Sequence, residues 1–226
     1  MKQPKLDVVD KILLAVSYAL RFTLVLAIIT AGLKKNWLTL FIAFSVLVLS
    51  FIPSLIQRSF KFYLPSEFEF VIIVFIYASL FLGEVHGYYT VFWWWDSLLH
   101  SFTGVSFGLI GFMMMYILHK ENKIKTSPRL IAIFSFSFAV AIGSVWEIFE
   151  FSMDNIFGWN MQKSGLVDTM SDIIVNALGA FLTAFIGYLY IKGGKSPLIK
   201  RVVTRFVERN PHLFMKEEEF TLNEKQ

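Results

Sequence analysis

Six stretches of the chain stay apolar for about 20 residues or more: 12–33, 37–57, 68–86, 93–119, 129–153 and 168–191. A helix crossing about 30 Å of hydrocarbon needs about 20 apolar residues, so each stretch is long enough to span a bilayer. The runs are continuous and lack the alternation of ~10-residue strands, which excludes a β-barrel. Local punctuation agrees with the boundaries. Gly32 with Lys34 and Lys35 ends the first run, Pro65-Ser66 precedes the third, Ser127-Pro128 the fifth, and Gly193-Gly194 follows the sixth. Hydrophobic residues make up 56% and charged residues 17% of the chain. Soluble domains hold about 45–50% apolar and about 25% charged residues, so a soluble monomer is excluded. The expectation is an all-α, polytopic helical membrane protein. It has a six-helix transmembrane domain over 1–194 and a basic, amphipathic tail over 195–226. The first run carries no small-x-small cleavage site and reads as an uncleaved span. With no cysteine, disulfides, thiolate ligands and redox motifs are excluded.

Orientation is read from Lys and Arg in the loops. One side holds 17 of them: Lys2, Lys5, Lys11, Arg58, Lys61, Lys120, Lys123, Lys125, Arg129, Lys192, Lys195, Lys200, Arg201, Arg205, Arg209, Lys216 and Lys225. The other holds three, Lys34, Lys35 and Lys163. The bias predicts a multi-pass membrane protein with both termini cytoplasmic. In the tail, Leu198, Val202, Val203, Phe206 and Val207 fall near helical spacing among basic residues. That segment reads either as a solvated source of positive-inside charge or as an amphipathic helix on the inner leaflet. The bilayer is the expected partner. No basic patch interleaved with stacking aromatics occurs, so the net charge of +4 is topological and implies no nucleic-acid partner.

Ionisable groups inside spans are costly in hydrocarbon and face a bundle interior or a water-filled cavity. Here they cluster. Glu84 and His86 close the third span, and Asp96 and His100 open the fourth. Glu147, Glu150 and Asp154 end the fifth, while Asp168, Asp172 and Asn176 open the sixth. All lie in the half of the bilayer predicted to face outward. Asp96 and His100 are i,i+4, Glu147 and Glu150 i,i+3, and Asp168, Asp172 and Asn176 form an i,i+4,i+8 row, so each set shares a helix face. Small residues continue the same faces inward: Gly104 and Gly108; Ser135, Ala139 and Gly143; Ala180 and Ala184. Small residues at this spacing let helix backbones approach closely in lipid. The resulting picture is a funnel, tightly packed on the inner side and lined with carboxylates on the outer.

Asp96, His100, Glu147, Glu150, Asp172 and Asn176 are the principal site residues. The four acids and the imidazole among them form an O/N ligand set suited to a divalent cation, with Asn176 orienting a ligand or substrate. Without a metal, the same groups suit general acid/base chemistry or proton coupling. Four residues are secondary candidates. Glu84 is either a snorkelling helix end or a site member, and Asp154 a surface or loop group. Asp168 is an N-cap of span six or a site member. Arg21, near the middle of span one, either snorkels or pairs with a pocket carboxylate or an incoming phosphate. His86 reads as solvated, and Trp93-Trp94-Trp95 as an interfacial belt.

Asp96-x-x-x-His100, Glu147-x-x-Glu150 and Asp172-x-x-x-Asn176-x-x-Gly179 together resemble the VanZ-like membrane proteins. The fuller strings Trp95-Asp96-Ser97-Leu98-Leu99-His100, Trp146-Glu147-x-x-Glu150 and Asp168-x-x-x-Asp172-x-x-x-Asn176 are closer to the YjdF-type bacterial inner-membrane proteins. The resemblance covers roughly residues 65–190. Ser97 stands where VanZ-like proteins often carry Lys, and Glu150 where they tend to carry Gln, which makes this pocket more acidic. The resemblance implies a bacterial plasma-membrane location and a cell-envelope role, with no established reaction. The leading functional expectation is an envelope enzyme, a hydrolase or transferase acting on a lipid-linked or lipid head-group substrate with or without a divalent metal ion. A proton- or cation-coupled transporter and a non-catalytic membrane adaptor or resistance factor are the alternatives.

Overall fold

The computed structural model describes residues 7–60, 63, 65–120, 122–193 and 196–210. Lys2, Lys5, Lys61, Lys195, Lys216 and Lys225 of the topological count, and the tail beyond 210, lie outside the described residues. Among the described residues all regular structure is helical, and six helical segments are long and apolar enough to cross a membrane. These are Val8–Leu33, Trp37–Ser59, Ser66–Val85, Trp95–Lys120, Pro128–Phe157 and Leu166–Gly193. The chain divides into two compact units, Met1–Phe92 with Arg201–Gln226, and Trp93–Lys200.

In the first unit α1 (Val8–Leu33) starts from a reciprocal cap. Asp7 Oδ1 accepts the Asp10 N–H at 2.8 Å, and Asp10 Oδ2 accepts the Asp7 N–H at 3.1 Å. The second span is broken into α2 (Trp37–Leu49) and α3 (Ile52–Phe60). Pro53 has no N–H to donate back to the Leu49 carbonyl, and at the break the Ser50 carbonyl takes a 2.7 Å hydrogen bond from Arg21 Nη2. Arg21 Nε also donates to Ser50 Oγ at 3.1 Å, and the guanidinium carbon lies 4.4 Å from the centre of the Phe51 ring. The third span runs as α4 (Ser66–Ile76) and finishes as a π-helical segment, Tyr77–Val85, followed by the single turn α5 (Tyr88–Val91). Leu24, Ala43, Val46 and Phe81 form the buried core between these helices.

The tail segment forms α9 (Pro197–Arg209). From residue 201 onward its basic face is met by acids of the same unit. Arg201 Nε donates to Glu67 at 2.7 Å, and Arg205 Nη1 to Asp10 at 2.7 Å and Glu67 at 3.0 Å. Arg209 Nη2 reaches Asp10 at 3.1 Å, and Arg205 also pairs with Asp7. Ser66 Oγ completes the shell of Asp10. Asn210 clamps the Tyr63 backbone, accepting its N–H at 2.6 Å and donating to its carbonyl at 2.8 Å. The helix therefore pairs its arginines with protein carboxylates, and its Val202 and Val203 are buried.

In the second unit α6 (Trp95–Lys120), α7 (Pro128–Phe157) and α8 (Leu166–Gly193) each pack on the other two. Ser127 caps α7 by accepting the Leu130 N–H at 3.3 Å, with Pro128 at the first helical position. The small residues form the seam. A Cβ at Gly104 would collide with the Asn176 backbone carbonyl, and one at Gly179 with the Ser101 carbonyl. A Cβ at Gly143 would lie 2.7 Å from the Asn176 amide. Ser135 Oγ donates across the seam to the Gly108 carbonyl at 2.7 Å. Ala139, Ala180 and Ala184 are buried along it.

Asp10 is 1% exposed, whereas the Asp7 side chain is 47% exposed. Removing one partner of a buried ion pair costs about 3–5 kcal/mol, and an exposed pair contributes about 1 or less. Asp10→Ala should therefore lower unfolding stability in detergent by about 3 kcal/mol and Asp7→Ala by about 1 kcal/mol, mostly through its cap. Equal losses in denaturant titrations would contradict this account of the tail's anchorage.

Candidate functional site

α6 and α8 begin, and α7 ends, at one end of the second unit, and the polar stripes meet there. Asp96 and His100 stand on the first turns of α6, Glu147 and Glu150 on the last turns of α7, and Asp168, Asp172 and Asn176 on the first turns of α8. His100 is the centre. Its Nε2 lies 3.6 Å from Asp96 Oδ1, and its Nδ1 lies 3.4 Å from Glu147 Oε1. Two overlapping sets of three, Asp96/His100/Asp172 and His100/Glu147/Glu150, each bring one ligand atom per residue within 4.8 Å of the others. His100, Glu147 and Asp172 are buried, while Asp96 and Glu150 are partly exposed. Five of the six principal candidates thus converge at ligand distance.

Glu147 is the least satisfied of these groups. It is 3% exposed, and among the described residues neither carboxylate oxygen completes a hydrogen bond of good geometry. The Thr169 hydroxyl is the donor that faces it, and His100 Nδ1 lies 3.4 Å from Oε1. A buried carboxylate left this way is expensive unless a proton or cation joins it. Glu150 accepts 2.8 Å from the Trp146 indole N–H one turn earlier on the same helix. Asp96 has a cationic partner, Lys163 Nζ, at 3.2 Å.

Asn176 lies deeper. It is buried where the three helices meet, wedged against Gly143, with Nδ2 3.4 Å from the His100 carbonyl. Its visible contact is with the backbone that carries His100. Asp168 falls in the first turn of α8, past the N-cap position, with the Lys163 backbone near its carboxylate. Asp154 organises the loop between α7 and α8. Its oxygens accept the Met161 and Gln162 N–H groups at 2.5 and 2.8 Å, and its carbonyl accepts the Gly158 N–H at 2.9 Å. Left-handed backbone at Gly158, Asn160 and Gly165 lets so short a loop turn back. Glu84 is exposed, and Arg21 is engaged by Ser50; both belong to the first unit. Lys163 was visible in the sequence only as a topological charge. Its isolation as the one basic residue between two acidic stripes is the signal that points to the site.

Beside Glu147, α7, α8 and the loop between them line an open cavity of about 450 Å³ that includes Glu147, Thr169 and Gln162 in its lining. Gln162 Nε2 donates to Thr169 Oγ1 at 2.6 Å, which leaves the threonine proton for another acceptor.

Fold and site together define a multi-pass helical membrane protein with an acid–histidine cluster at one end of a tightly packed helix triplet. The chain belongs to the family described as "Predicted membrane protein (DUF2238)", whose model matches residues 12–193. A Thermotoga maritima protein bearing the name "Uncharacterized protein" is similar to it, with 34% identity over 116 residues. That alignment covers 49% of this chain and 58% of the relative's length. No solved structure matches the chain.

Asp154→Ala removes both carboxylate acceptors from the loop. Amide exchange at Met161 and Gln162 should accelerate at least about tenfold, since about 1.4 kcal/mol of lost protection is a tenfold change. Protection in the helix body before residue 150 should be unaffected. Unchanged exchange at both amides would show that the loop is held by other contacts.

Proposed function

We propose that the cluster binds one divalent cation through His100, Glu147 and Glu150, with Asp96 and Asp172 on the opposite side of the imidazole. The single observation that carries this reading is Glu147, buried with both oxygens short of partners and aimed at His100. A neutral imidazole gives one lone pair and keeps one N–H. Lys163 already compensates Asp96, so the charge-deficient side is that of Nδ1. Nε2–H then donates towards Asp96, the carboxylate–histidine arrangement that fixes tautomer and ring orientation at metal sites.

The chemistry proposed is that of an envelope enzyme, a hydrolase or transferase acting on a lipid-linked or lipid head-group substrate. His100, Glu147 and Glu150 would hold the cation, which would supply Lewis-acid polarisation of a carbonyl or phosphoryl oxygen, and the remaining carboxylates would accept and return a proton. Position supports the substrate class, because three spanning helices present the cluster at one end, the level of lipid head groups. The positive-inside bias supports an outward-facing site and cytoplasmic termini, and the motif resemblance supports the inner membrane as location. The motif resemblance to VanZ-like proteins supports an envelope role. The close backbone contact beneath Asn176 weighs against a transporter, which needs a path through the bundle.

Elemental analysis and Mn²⁺ titration of protein purified without chelators test the reading. The wild-type chain should hold about one cation. Glu147→Gln and the double variant His100→Ala/Asp172→Asn should lose it, and Asp96→Asn should weaken binding by roughly 10–100-fold, as outer-shell changes do. Retention by Glu147→Gln with loss in Asp96→Asn would assign the ion to the other triad. No binding by the wild type would overturn the proposal.

A further inference from the structure

The cavity beside Glu147 runs along α7 and α8 from the loop down to Ser144 and Ile173. Seven residues separate Ser144 from Phe151, and seven separate Leu166 from Ile173, so its length is about 10 Å. Ile148, Phe151, Leu166 and Ile173 form its walls, and the first three are exposed on the outside of membrane-spanning helices. Its polar lining is Ser144, Glu147, Gln162 and Thr169, and Glu147 also belongs to the cation cluster.

We infer that this cavity is the chain-binding groove of an amphiphilic substrate, which enters sideways from the bilayer between α7 and α8 and places its oxygen-bearing head beside Glu147. This rests on the cation reading above, because an anionic head beside a carboxylate needs a cation between them. The lining and its position select the occupant. A single hydrocarbon chain fits, and the volume falls within the roughly 300–1,000 Å³ of small-molecule sites. A soluble polar substrate would leave Ile148, Phe151 and Leu166 wetted at membrane depth. A lipid chain covers them at no such cost, because these side chains already face hydrocarbon.

The test uses the full-length protein in vesicles of phosphatidylglycerol and phosphatidylethanolamine carrying a trace of phosphatidylglycerol with a diazirine-bearing acyl chain. After illumination, adducts are mapped by peptide mass spectrometry and Mn²⁺ binding is measured on the same samples. Adducts should concentrate on 144–151 and 166–173, exceeding those at Phe181 and Leu182 on the outer face of α8. Ile173→Trp fills the groove and should cut labelling there at least fivefold while Mn²⁺ still binds. Ser144→Leu, a smaller plug from the opposite wall, should act the same way if the tryptophan variant folds poorly. Labelling spread evenly over both faces, or unmoved by either plug, would overturn the groove. Plug-sensitive labelling in a protein that binds no Mn²⁺ would uphold the groove and remove the cation.

Discussion

Asn176 occupies the space that a side chain at Gly143 would need, and its backbone carbonyl lies where a side chain at Gly104 would project. Three helices meet at this one residue at nearly backbone distance. In lipid no hydrophobic force draws helices together, so association depends on close packing and on hydrogen bonds such as those of Ser135 and Thr183 to facing carbonyls. The acids and His100 lie only one or two turns above that junction. Were the helices a few ångströms further apart, His100 would no longer lie 3.4 Å from Glu147 and 3.6 Å from Asp96. The seam thus supplies both stability and the convergence of charge.

The first unit solves a related problem differently. Its second span breaks at Ser50, and Arg21 repairs the exposed helix end by donating to both the hydroxyl and the carbonyl of that residue. A guanidinium within a span usually invites an acid as partner. Here the partner is the dipole of a helix end, consistent with the preference of cations for helix C-termini. The arginines of α9 follow the commoner rule and are matched by Asp7, Asp10 and Glu67.

The six spans and the helical class were legible because hydrocarbon thickness leaves a signal about 20 residues long. The site was legible in its membership for a related reason. Charges are costly in lipid, so acids that recur at helical spacing in the same half of three spans have few alternatives to facing one another. The small residues at Gly104, Gly108, Ser135, Ala139, Gly143, Ala180 and Ala184 were readable as a packing face, and all seven are buried. What was not legible depends on contacts far apart in sequence. Nothing near Arg205 announces Asp10, 195 residues earlier. Nothing near Arg21 announces Ser50. The spacing of Asn176 from Asp172 shows that it lies one turn deeper, but not that its amide packs against Gly143. The π-helical finish of the third span has no composition signal either.

Pulsed electron paramagnetic resonance of Mn²⁺ bound to the full-length protein, prepared once with ordinary and once with ¹⁵N-labelled histidine, examines the His100-centred cation directly. The account predicts nuclear modulation from a single imidazole nitrogen, which changes on isotope substitution and disappears in His100→Ala. A spectrum of bound Mn²⁺ carrying oxygen ligands alone, with no nitrogen modulation in either preparation, would contradict it.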